Sequence, residues 1–210
     1  MKTFAVLFTT LALVIQFGGY AAAQQPQDAQ EAPPPTGTRI VEAPTFKVGD
    51  FWEYRRSQKG DQFTRTVTAI KGDLVTMVDE AGQKFVFSKD GNIVEGYDLG
   101  ELAQTYDPFI PRLQFPLQER KNWARSFTVR SQRRVKPHNA TVWGKVGGWE
   151  QISVPAGNFN AIKIEIQFQG FGQGRQEVCW YAQEIKRFVK CTFSEAHRGN
   201  DFELVSYRVQ

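Results

Sequence analysis

Ile162, Ile164, Ile166 and Phe168 alternate with Lys163, Glu165, Gln167 and Gln169. A period of two predicts a β-strand with one dry face and one wet face. Val154-Pro155-Ala156-Gly157 stands before it. Pro155 presets φ for the first corner of a tight turn and Gly157 can close it, so one strand ends at Val154 and the next begins at Phe159. Gly170, Gly172 and Gly174 break the alternation and mark a second reversal.

A hairpin follows. Glu177 to Ala182 and Arg187 to Phe193 read as strands around a Glu184-Ile185-Lys186 loop. That register sets Gln183 opposite Arg187, Tyr181 opposite Val189 and Cys179 opposite Cys191. Facing residues of an antiparallel pair lie close enough for a disulfide, so Cys179 and Cys191 are expected to be bonded. The same register puts Tyr181, Val189 and Phe193 on the cysteine face. The alternatives are free thiols or a metal pair, and neither the spacing nor two ligands suits zinc.

The same pattern runs through the rest of the chain. Strands are predicted near 51–58, 62–70, 73–79, 83–88, 92–95, 122–131, 139–153, 159–169, 176–182, 187–194 and 202–209. Lys59-Gly60-Asp61, Lys71-Gly72-Asp73, Glu80-Ala81-Gly82 and Lys89-Asp90-Gly91 supply reversals. Leu99 to Tyr106 is the one helix-like stretch. The linker from there to Leu117 carries Pro108, Pro111 and Pro116 and is expected to cross the surface. The predicted fold class is all-β: an antiparallel meander curled into a barrel or half-barrel, with at most one short helix. Trp52 with Tyr54, and Trp123 with Phe127 and Val129, fall on the inward period.

The first residues set a compartment. Lys2 precedes an apolar run from Phe4 to Phe17, and Ala21-Ala22-Ala23 follows. This is the layout of a secretory signal peptide (1–23) cleaved after Ala23. The run is shorter than the roughly 20 residues of a membrane span. No cysteine lies near the cleavage site, so a lipoprotein is not expected. Residues 24–45, rich in Gln, Pro and Ala, form a disordered tether, and 46–210 form one β domain. Export to the periplasm or beyond agrees with paired cysteines.

Val154-Pro155-Ala156-Gly157-Asn158-Phe159, Trp180-Tyr181-Ala182 and the Phe115 to Trp123 approach carry a resemblance. Together they resemble a group of uncharacterised bacterial periplasmic proteins with a V-P-A-G-x-F turn and a W-Y-A-P hairpin. Gln183 stands where that group has proline, and Arg120 where it has glycine. The resemblance implies an exported β-rich domain related to the half-barrels of lipoprotein carriers. It implies no catalytic residue.

Composition narrows the chemistry. Only His138 and His197 are present, in no metal or triad spacing, and no G-x-S-x-G elbow occurs. No catalytic residue, cofactor or metal is therefore predicted. Gly170 to Gly174 lacks the helix and Lys-Ser/Thr of a phosphate loop. The formal net charge is +4, and Arg120, Lys121, Arg125, Arg130, Arg133, Arg134 and Lys136 gather in one stretch. They are a candidate contact for an anionic membrane surface, weighed against a solvated turn. Nucleic acid is excluded by export. Trp143 and Trp149 flank Gly144, Gly147 and Gly148, and glycines inside a strand mark a bulge or a close approach. That pair is a candidate ligand surface.

The expectation is an exported, monomeric, non-catalytic binding or envelope-maintenance module. Its ligand would be a lipid or another apolar or amphiphilic molecule. The rival is a protein-binding scaffold that uses the basic edge and the tether toward an envelope protein. A hydrolase comes third.

Overall fold

The computed structural model describes residues 39–98, 100–132, 136–171 and 174–210. The expected signal peptide, the tether through Thr38, and Leu99, Arg133, Arg134, Val135, Gly172 and Gln173 lie outside the described residues.

The first six strands are β1 (Phe51–Arg56), β2 (Gln62–Lys71), β3 (Leu74–Val78), β4 (Lys84–Ser88), β5 (Ile93–Asp98) and β6 (Glu101–Asp107). The second six are β7 (Asn122–Ser131), β8 (His138–Val154), β9 (Gly157–Gln169), β10 (Gln176–Ala182), β11 (Arg187–Phe193) and β12 (Phe202–Arg208). Each strand pairs with its neighbours in the chain, and β1 pairs with both β2 and β12. The meander therefore closes into an antiparallel barrel and leaves no free edge of the half-barrel kind.

The alternation in β9 does what its period requires. Ile162, Ile164, Ile166 and Phe168 are buried, while Glu165, Gln167 and Gln169 are exposed. Trp52, Tyr54, Trp123, Phe127 and Val129 are buried as expected. Val154 pairs with Gly157 across the predicted turn. Gly157 sits at φ +133°, which other residues rarely adopt.

Three expectations are corrected. Glu101–Asp107 is a strand, where a short helix was expected. Its Glu, Leu, Ala and Gln favour a helix locally, but hydrogen bonding to β5 and β7 overrides that preference. In the cysteine hairpin, Cys179 faces Cys191 and the disulfide is formed, but Tyr181 faces Phe188 and Ala182 faces Arg187. A register shift after Trp180 leaves Val189 unpaired, and a 3-10 turn, Gln183–Ile185, replaces the expected loop.

The third correction concerns the proline-bearing linker. Instead of crossing the surface it packs into the core: Ile110, Leu113 and Leu117 are buried with Phe127, Ile164 and Tyr181. Its polar backbone is satisfied on the way, as burial demands. Ile110 N donates to Ile93 O at 2.8 Å, and the Asn92 side chain exchanges two hydrogen bonds with Leu113, both at 2.9 Å. Trp123 Nε1 donates to Pro111 O at 2.9 Å. Chain before residue 46 takes part in this packing, because Val41 is fully buried and pairs with Leu117.

The inner surface is divided between two hydrophobic clusters. One gathers the linker with β7–β10. The other gathers β1–β4 with Phe46, Ile185, Val189 and Leu204. Ile93 and Phe202 touch both.

Candidate functional site

A cavity of about 160 Å³ lies at the seam between the two clusters. Most of its wall comes from strand residues and from the buried linker. Tyr54 (β1), Phe63 and Arg65 (β2), Phe85 and Phe87 (β4) and Ile93 (β5) line one side. Arg112 and Leu113 of the linker, Arg187 and Phe188 (β11) and Phe202 (β12) line the other, with Phe46, Gly91 and Lys186 completing it. The wall is aromatic, and three guanidinium groups interrupt it.

Those cations are placed by specific contacts. Arg65 lies over the Phe85 ring at 4.0 Å and reaches Asp79 Oδ2 at 3.7 Å. Arg112 lies over the Phe188 ring at 4.9 Å and pairs with Glu177, a fully buried carboxylate on the inward face of β10. Arg175 holds the other oxygen of Glu177 at 2.5 Å. Arg112 Nη2 also lies 3.5 Å from Cys179 Sγ, so the disulfide backs this ion pair. Arg187 lies 5.2 Å from the Trp52 ring centre and 5.0 Å from that of Phe87, with Nη1 3.1 Å from Met77 Sδ. It makes no ion pair with a carboxylate among the described residues. Lys186, by contrast, is held by Asp50 at 2.9 Å.

Burial shifts the titration of this cluster. It holds Arg65 down to about 10, and the neighbouring charge of Arg187 adds to the effect. It also lowers Arg112, against the opposing pull of Glu177. Burial raises Tyr54, whose hydroxyl donates to Phe188 O at 3.1 Å.

The residues singled out from sequence lie elsewhere, except for the cysteines. Trp143 is 39% exposed and lies in an outer groove with Lys145, Glu165 and Gln167. Trp149 packs against the core cluster, with Arg39 over its ring at 3.7 Å. Gly147 and Gly148 form the expected bulge, and that bulge separates the two tryptophans. They do not share a surface.

The basic stretch is likewise dispersed. Arg120 and Lys121 precede β7, while Arg130 and Lys136 lie at its far end. Ten residues of strand separate them by roughly 30 Å. Lys121 Nζ is bound to the Gln114 and Pro116 carbonyls at 2.5 and 2.7 Å. Arg125 and Arg130 are exposed, and Arg133 and Arg134 lie outside the described residues. No cluster of three or more His, Cys, Asp or Glu suited to a metal occurs among the described residues.

Sequence reasoning passed over the cavity arginines. The available signal was parity: Arg65 stands between Phe63 and Val67, and Glu177 precedes Cys179 and Tyr181, all at inward positions.

No family model and no curated protein matches this chain. The periplasmic-group resemblance therefore rests on the residues quoted for it. Three solved structures are similar at low identity. The hypothetical lipoprotein YmcC from Escherichia coli (K12) is 12% identical with a TM-score of 0.47, over 81% of this chain and 90% of that one. A protein from Bacteroides fragilis described as exported, with a YmcC-like fold, is 13% identical with a TM-score of 0.43, over 81% and 100%. A protein from Parabacteroides distasonis described as a lipoprotein is 11% identical with a TM-score of 0.45, again over 81% and 100%.

Proposed function

We propose that this protein is an exported, non-catalytic binding module of the cell envelope that holds a small apolar or amphiphilic ligand inside its barrel. The observation that carries the reading is the aromatic-walled cavity between the two core clusters. The interior of a closed barrel is a common place for a ligand, and apolar walls with a few polar groups are the usual lining. The signal-peptide layout and the disulfide support the compartment.

Native mass spectrometry of the exported protein tests both parts. The chain is expected to begin at Gln24 and to carry a small molecule that is released on denaturation. Ile93→Phe, which fills the cavity from β5, should remove that mass while the disulfide stays formed. Identical ligand-free spectra for both proteins, with no small apolar compound raising the Tm of either, would overturn the reading.

A further inference from the structure

We infer that the cavity selects a small organic anion, with its oxyanion group held by Arg187 and Arg112 and its ring-sized or short acyl part among Phe46, Phe85, Phe87 and Phe202. The inference rests on the cavity reading above and adds the charge and size of the occupant.

Charge is the first argument. Arg65, Arg112, Arg175, Lys186 and Arg187 stand in or directly behind the cavity wall, against Asp50, Asp79 and Glu177. Arg65, Arg112, Arg175 and Lys186 are paired with those three carboxylates, Glu177 being shared by two of them. Arg187 is half-buried and is the one of these cations without a carboxylate partner among the described residues. Partly desolvating such a cation has a cost that an anionic occupant would offset.

Donor geometry is the second. A guanidinium carries five N–H donors in a planar fork that suits carboxylate and phosphate oxygens. Arg187 offers one of these to the Met77 sulfur, a weak acceptor, and its guanidinium also hydrogen-bonds the Tyr54 side chain. Arg112 Nε is buried and has no hydrogen-bond partner, while Nη2 donates to Glu177 Oε2. The two arginines, one from the linker and one from β11, line the same cavity.

Size is the third. A cavity of about 160 Å³ compares with the roughly 150 Å³ apolar cavity that accepts benzene. It takes an aromatic or short-chain carboxylate, or the corresponding phosphate monoester. It does not take a two-tailed phospholipid.

Isothermal titration of the folded, disulfide-bonded protein with benzoate and with benzyl alcohol, its neutral counterpart, tests this. Benzoate should bind at least roughly tenfold more tightly, as charge-assisted hydrogen bonds require. Phenyl phosphate in place of benzoate tells a phosphate site from a carboxylate site, and preference for either anion over the alcohol supports the inference. Arg187→Met should bring benzoate down to the level of benzyl alcohol and should raise the Tm of the ligand-free protein, because an uncompensated cation is gone. A purely structural arginine, held by Trp52 and Phe87, would do the opposite: the Tm would fall and the ratio would stay. If Arg187→Met does not fold, the ratio on the wild-type protein decides alone. Equal binding of the two probes overturns the anion inference and leaves the cavity reading standing. Binding of neither overturns both.

Discussion

Asp50 and Lys186 are joined by an ion pair of 2.9 Å across 136 residues of sequence. The carboxylate is fully buried just before β1, and it also accepts from Lys47 N and Gln210 N, each at 2.9 Å. Lys186 Nζ donates in turn to Gln210 O at 2.8 Å. The start of β1, the turn before β11 and the residues after β12 are thereby tied at one point where the barrel closes.

Removing that carboxylate strands a largely buried ammonium and two backbone donors. Asp50→Ala should cost about 3–5 kcal/mol of stability. Glu203→Ala, which breaks the more exposed pair with Arg55, should cost less than about 1 kcal/mol. Urea denaturation of both variants checks the contrast, and similar losses would mean the Asp50 cluster is not a special tie.

The two faces of β9 should respond differently. Ile164 is fully buried beside the disulfide strand, and Glu165 is exposed. Ile164→Asp should prevent folding because it buries an unpaired carboxylate. Glu165→Ala should change stability by about 0.5 kcal/mol or less. Circular dichroism melting curves of the pair decide the point.

Gly144 is a close-approach position. A Cβ built there would lie 2.0 Å from Cζ2 of Trp123, the residue that faces it on β7. The Trp123 ring cannot give way without losing its hydrogen bond to Pro111 in the buried linker. Gly144→Ala should therefore cost at least about 1–3 kcal/mol by overpacking. Trp123→Leu should recover part of that loss in the double variant. Additive losses in a double-mutant cycle would show that the two sites do not touch.

Tyr106 supplies a pH signature. Its hydroxyl donates to Gln104 Oε1, its ring packs on Phe127 and Phe171, and burial pushes its pKa up to about 12, with the charge of Arg175 opposing. Below pH about 10 both folded and unfolded chains keep this proton, so stability is unaffected. Between about 10 and 12 the unfolded chain has lost the proton and the folded chain retains it, so stability falls as pH rises. Tyr106→Phe should flatten that part of the fall and remove one late step from the tyrosinate absorbance titration. An unchanged titration would place the hydroxyl in water.

Period two made most of this barrel legible, because a closed meander buries every other residue and repeats that rule strand after strand. The Cys179–Cys191 pairing followed from register, and the bulge from Gly147-Gly148. β6 was missed because Glu-Leu-Ala-Gln reads as helix until neighbours on both sides claim its backbone. The linker was missed because prolines mark irregular chain without saying whether that chain runs outside or in. The candidate site was harder still: Arg112 sits on no periodic element, and Arg187 reaches the interior at a register shift in its hairpin. Charge at an inward position was the one readable clue, and Arg65 and Glu177 both carried it.

Part of the barrel's filling comes from outside its strands. Strands β1 to β12 supply the container and most of its filling, while one connection, from Ile110 to Leu117, adds three buried side chains to one cluster and contributes Arg112 and Leu113 to the cavity. Changing Arg112 or Leu113 in that single connection therefore alters the cavity wall without touching any strand-to-strand pairing of the barrel.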